Sequence, residues 1–66
     1  MAKKDSLINV LLIEDDPMVQ HVNKLFVEKI KGFAVSGIAS SGVEGKKLIK
    51  VLKPDLVLLD VYMPGQ

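Results

Sequence analysis

The sequence contains no cysteine, no arginine and only one histidine. Without cysteine there is neither a disulfide staple nor a thiolate metal site, and a reducing, cytoplasmic setting fits that absence. Without arginine the bidentate guanidinium clamp on phosphate is missing; all nine basic residues are lysines. His21 has no second imidazole with which to share a metal, so it reads as a surface residue. An excess of one charge sign is also lacking: nine basic and eight acidic residues leave a net charge of +1. Such a balance steers the chain toward neither nucleic acid nor an acidic surface, and no direct nucleic-acid binding by this segment is expected. No apolar run approaches the roughly 20 residues that span a bilayer, so no membrane contact is expected. Met1 to Ser6 is polar and lacks a signal-peptide core, which predicts a flexible, untargeted tail over residues 1–6 followed by one domain over 7–66. A chain this short buries only about 60% of its unfolded surface, so its stability is marginal. Its apolar fraction of 48% is nevertheless too high for a disordered segment.

The stretch Leu56-Val57-Leu58-Leu59-Asp60 organises what is there. Its four apolar residues fit a strand buried on both faces, which reads as a continuous apolar run. An ionised carboxylate at the end of such a strand is costly unless it emerges from the sheet or is paired. In an open parallel sheet, ligands bind at the carboxyl ends of the strands. Asp60 alone is equally consistent with the start of a turn completed by Pro64-Gly65.

Ile8 to Ile13 is a second strand of the same apolar density, ending in Glu14-Asp15-Asp16. Asp16 before Pro17 has the pattern of a helix N-cap followed by a first-turn proline. Capping uses one acid and leaves Glu14 and Asp15 unexplained. A helix is predicted from Pro17 to about Lys31, with Val19, Val22, Phe26 and Ile30 as an apolar stripe that Leu25 and Val27 widen, and Gly32 as its C-terminal cap. Phe33 to Ile38 alternates weakly and reads as a strand near a sheet edge. Ser41 followed by Glu44 is a capping-box pattern that starts a second helix, running to about Lys53 and stopped by Pro54. Val43, Leu48, Ile49, Val51 and Leu52 are its expected buried face, and Lys46, Lys47, Lys50 and Lys53 a solvated one. Gly45 inside it costs on the order of 1 kcal/mol relative to Ala.

Strands alternating with helices imply an α/β fold with a parallel sheet and right-handed crossovers. If the first strand lies between the other two, Glu14, Asp15, Asp16 and Asp60 converge at one end, placing four of the eight acids in one cleft. That convergence favours a site over a turn. Clustered carboxylates raise each other's pKa unless a cation neutralises them, and Mg²⁺ suits one or two carboxylates plus waters. A carboxylate beside such an ion can attack phosphorus and form an aspartyl phosphate.

Two motifs, Val10-Leu11-Leu12-Ile13-Glu14-Asp15-Asp16-Pro17 and Lys53-Pro54-Asp55-Leu56-Val57-Leu58-Leu59-Asp60-Val61-Tyr62-Met63-Pro64-Gly65, make the chain resemble the first half of a response-regulator receiver domain of two-component signalling. The resemblance implies a flavodoxin-like parallel sheet truncated to β1-α1-β2-α2-β3, with the first strand central. It implies that Asp60 is the phospho-acceptor, taking its phosphoryl group from a sensor histidine kinase. Asp15 would be the direct Mg²⁺ carboxylate, Glu14 its partner acting through water, and Tyr62 a backbone-carbonyl ligand. Asp16, one place beyond the pair, keeps its capping role. Glu14 to Val19, with Asn23 and Gly32-Phe33, is similar more narrowly to regulators paired with citrate- or C4-dicarboxylate-sensing kinases.

The family carries two further strands and three further helices, which bear a hydroxyl residue, an aromatic switch residue and a phosphate-contacting lysine. Lys46 to Lys53 belong to the second helix and do not replace that lysine. The 66 residues are therefore expected to be a partial receiver that functions incompletely alone and associates with the missing half or with a second copy through the β3 edge. Two alternatives to a phospho-acceptor module remain. A structural or assembly module would use the same edge without phosphoryl chemistry. A phosphohydrolase with an Asp nucleophile would carry a second Asp two residues on, where this chain has Tyr62. The phospho-acceptor reading makes the chain a signalling module rather than an enzyme.

Overall fold

The computed structural model describes residues 7–59. The tail expected over residues 1–6, and Asp60 and Tyr62, lie outside them. Five elements follow in order: β1 (Ile8–Ile13), α1 (Pro17–Lys29), β2 (Phe33–Ala39), α2 (Gly42–Leu52) and β3 (Leu56–Leu59). The strands form one parallel sheet in the order β2-β1-β3, so β1 is central. This is the architecture expected of a truncated receiver. The first strand is flanked on both sides, and Val10, Leu11 and Leu12 are its fully buried residues.

Alternation along β1 divides the core between the two sheet faces. Val10 and Leu12 cluster with Val27 of α1, and Phe33, Val35 and Ile38 of β2 pack around them. On the other face, Leu11 and Ile13 lie near Gly37 and Ala39 and meet α2. β2 keeps its apolar residues on the correct faces through an irregularity. Val10 pairs with Val35 but Leu11 with Gly37, so Ser36 is the extra residue. The Ser36 hydroxyl donates to the Val10 carbonyl at 3.4 Å. A bulge of this kind shifts the two-residue period by one, which is why β2 alternates weakly in sequence.

Gly45 is buried, and a Cβ there would stand 2.5 Å from Ile13 Cδ1 and 3.1 Å from Ile13 Cγ1. The helix thus gives up intrinsic stability at this position so that its backbone can lie against the end of β1.

Both helices differ in part from expectation. α1 ends at Lys29, and Ile30 is already extended at φ −85°, ψ 120°. Gly32, at φ 92°, does not cap the helix. It sits in a turn closed by the Phe33 N–H on the Ile30 carbonyl at 3.1 Å, and a positive φ at the third turn position favours glycine. The buried stripe of α1 is also rotated from the one expected. Val27 is 8% exposed, whereas Phe26 is 64% exposed and Val22, Leu25 and Ile30 are exposed as well. The arc facing the sheet runs through Val19, Gln20, Asn23 and Val27 and mixes polar with apolar residues. Val22, Leu25, Phe26 and Lys29 instead line a shallow outward hollow. On α2, Leu48 and Leu52 approach Gly37, but Val43 and Val51 point to solvent. Helix α2 ends at Leu52; Lys53 caps it in the left-handed conformation at φ 48°, its N–H donating to the Ile49 carbonyl at 2.9 Å, and Pro54 then prevents the helix from continuing.

Neither helix packs on β3, and its outer side has no strand partner among the described residues. All four of its residues are exposed.

Candidate functional site

The carboxyl end of β1 carries the acids. The ladder ends at the pairs Ile13–Ala39 and Ile13–Leu59, and the Glu14 N–H still donates to the Ala39 carbonyl at 2.9 Å. Glu14 is therefore the last residue held by the sheet. It is 7% exposed, the buried charged residue among those described. Its Oε2 accepts the Asp16 N–H at 2.9 Å. Charge-assisted hydrogen bonding of this kind offsets part of the cost of burying a carboxylate.

Asp16 fills the capping role read from the sequence. Its Oδ1 accepts from the N–H groups of Met18, at 2.8 Å, and Val19, at 3.4 Å. Asp15 lies between these two anchored acids. It is exposed and makes no side-chain hydrogen bond among the described residues. The three neighbouring carboxylates thus have three settings: Glu14 inside and committed to backbone, Asp16 committed to the helix, and Asp15 presented to solvent.

Sequence reasoning missed the side chain that ties this corner together. Gln20 Nε2 donates to the Glu14 carbonyl at 2.6 Å and to the Ser40 hydroxyl at 3.3 Å. The Ser40 N–H in turn donates to Glu44 Oε1 at 2.8 Å, and the Ser41 hydroxyl accepts the Glu44 N–H at 3.2 Å. The capping box is thus shifted by one residue on its return bond, from Ser41 to Ser40. Together these bonds link the first turns of α1 and α2 to the ends of β1 and β2. The available signal was a polar residue, Gln20, one turn beyond the cap on the helix face that meets the sheet.

The structure brings together Glu14 and Asp15 of the residues expected at the site; Asp60 and Tyr62 lie outside those described. Among the described residues no group of three or more potential metal ligands occurs. The donor chemistry fits a hard divalent cation: two carboxylates and no nitrogen or sulfur, with the exposed one free to enter a shell that Mg²⁺ completes with water. His21 lies exposed on α1. No helix among the described residues is long and apolar enough to cross a membrane.

Comparison with known proteins agrees with this geometry. The response regulator receiver domain family matches residues 10–66. A probable C4-dicarboxylate response regulator, DctR, of Bacillus subtilis is 61% identical over 64 residues, covering 97% of this chain and 27% of its own length. The probable DctR of Halalkalibacterium halodurans is 57% identical over 63 residues, covering 96% and 27%. The transcriptional regulatory protein MalR of Bacillus subtilis is 48% identical over 60 residues, covering 91% and 26%. The chain spans about a quarter of the length of these curated relatives. A family match over nearly all of the chain, on a sheet of the matching order, means that the chain belongs to the response regulator receiver domain family.

Proposed function

We propose that this chain is the acceptor module of a two-component response regulator, in which Asp60 takes a phosphoryl group from a phosphohistidine of a sensor histidine kinase. The observation that carries the reading is the position of the acidic pair. β1 runs into Glu14 and Asp15 directly after Ile13, and the chain runs into Asp60 directly after Leu59, the residue paired with Ile13. In the transfer a carboxylate oxygen of Asp60 forms the O–P bond while the P–N bond breaks. The imidazole leaves with the electron pair and takes up a proton. Glu14, Asp15, Asp60 and the Tyr62 carbonyl would hold Mg²⁺, which would supply charge neutralisation for the phosphoryl oxygens. Glu14 gives the site a fixed base, because its backbone and one carboxylate oxygen are already bound. Asp15, exposed to solvent, would supply the direct carboxylate ligand. The acyl phosphate forms once per acceptor, so the chain acts as a signalling partner of the kinase rather than as a turnover enzyme. The full-length protein, by likeness to relatives named for C4-dicarboxylate response and transcriptional regulation, controls transcription in response to such acids.

The test uses the full-length protein with acetyl phosphate and Mg²⁺. One hydroxylamine-labile phosphoryl group should be incorporated per chain, and Asp60→Asn or chelation should abolish it. Equal labelling of the Asp60→Asn protein would overturn the assignment.

A further inference from the structure

β3 is Leu-Val-Leu-Leu, four exposed residues of nearly the same size and polarity, and no helix packs on it among the described residues. Strand register is ordinarily fixed by an alternation that one buried face enforces, and a slip of one residue exchanges the faces of every side chain. A run with no polar member carries little of that information. Some other contact must set which residue of β3 stands beside which residue of β1.

The structure shows one at the entrance to the strand. The Asp55 N–H donates to the Asn9 carbonyl at 2.8 Å, and the Asp55 Oδ2 accepts the Asn9 N–H at 2.8 Å. These two bonds join the same pair of residues in opposite directions. The carboxylate extends the ladder one rung below the first pair, Val10–Leu56. An alanine keeps the backbone donor but has no acceptor. A strand shifted by one residue presents Pro54 or Leu56 to Asn9, and neither side chain can accept a hydrogen bond.

We propose that Asp55 is a positioning residue for the phosphoryl acceptor: its reciprocal pair with Asn9 locks the register of β3 on β1 and so sets the level at which the chain enters Asp60. This rests on the reading of Asp60 as the acceptor. The geometry of the oxygen, not the charge, is what the pair requires. Asn at this position keeps an acceptor at the same place, whereas Glu keeps the charge and displaces it by a methylene.

The experiment compares Asp55→Ala, Asp55→Asn and Asp55→Glu in the full-length protein, with Lys24→Ala as a variant that loses an exposed ion pair on α1 outside the acidic corner. Labelling by acetyl phosphate and Mg²⁺ affinity are read beside the NMR amide exchange of Asn9 and the β3 resonances. Misplacing reacting groups by about 1 Å costs up to about a hundredfold in rate, so Asp55→Ala and Asp55→Glu should label on the order of tenfold more slowly or worse. Both should also lose protection at the Asn9 amide. Asp55→Asn should restore both readouts, and Lys24→Ala should leave both near wild type. The proposal is overturned if Asp55→Glu labels normally while Asp55→Asn does not, or if Asp55→Ala behaves like Lys24→Ala. Should Asp55→Ala not fold, the Asn and Glu variants decide alone. If the unmodified protein is not labelled at all, the acceptor reading fails and the positioning role with it, while the Asn9 exchange data still report whether Asp55 holds the register.

Discussion

Replacing Asp15 and Asp16 separately by alanine should damage two different properties, although the residues are adjacent and carry the same group. Asp16 accepts two N–H groups of the first turn of α1 through Oδ1. Losing an N-cap of this kind costs about 1 kcal/mol, within a range of roughly 0.5–2. In a domain of about 60–100 residues that lowers the melting temperature by roughly 4–8 °C. Its effect on Mg²⁺ is small. Its charge acts on a cation only from outside the ligand shell, where salt screens it, so the loss of affinity should be no more than a few-fold. Asp15 is exposed and bonded to nothing among the described residues, so its removal should change the stability of the metal-free protein by no more than about 0.5 kcal/mol. Removing a group that merely orients a ligand already costs about 10–100-fold in metal affinity, so losing the direct ligand should cost at least that much. Titration calorimetry with Mg²⁺, together with melting curves in its presence and absence, separates the two. Metal should raise the melting temperature of Asp16→Ala nearly as much as that of the unmodified protein, and that of Asp15→Ala hardly at all. Equal loss of affinity in the two variants would refute the reasoning and move the acidic pair along by one residue.

In α2, Gly45→Val should destabilise by about 1–3 kcal/mol through overpacking against Ile13, while Gly42→Ala, with nothing within 4 Å of the added Cβ, should be neutral or stabilising by up to about 1 kcal/mol; urea unfolding reads both. Gln20→Leu keeps the bulk but loses both donors at the corner, and should cost about 0.5–1.5 kcal/mol per bond and loosen Mg²⁺ binding measurably in the same calorimetry. The 66-residue chain alone should self-associate through the outer side of β3, where Leu59 is 59% exposed, and Leu58→Lys should suppress this in light scattering. A chain that stays monomeric at high micromolar concentration with or without the substitution would refute the edge argument.

How much of this was legible in the sequence depended on whether a feature was written locally. Strand β1, both N-caps, the stop at Pro54 and the alternation of element types were readable because each is set by a few neighbouring residues. The order β2-β1-β3 came from the family motifs. The bulge at Ser36 was not readable as such; it appeared only as weak alternation, since an inserted residue and a poorly patterned strand look alike in one dimension. Gln20 and Asp55 were missed for a related reason. Their partners, the Glu14 carbonyl and the Asn9 N–H, are backbone groups distant in sequence or present at every position. No residue type advertises them.

The rotated stripe of α1 shows what periodicity measures. Val22, Leu25 and Phe26 recur at helical spacing as clearly as any core face, yet they point away from the sheet. The face that meets the sheet contains Gln20, because at this end of the strands the helix supplies a hydrogen bond to the Glu14 carbonyl as well as apolar contact. A helical pattern reports that some face is suited to burial and does not say which neighbour buries it. α1 has two such faces, one satisfied by β1 and β2 and one without a partner among the described residues. The same division appears at Glu14 and Asp15, where one acid is consumed in holding the corner and the other faces outward. In both places the residues that look functional by pattern are sorted only by what the sheet already occupies.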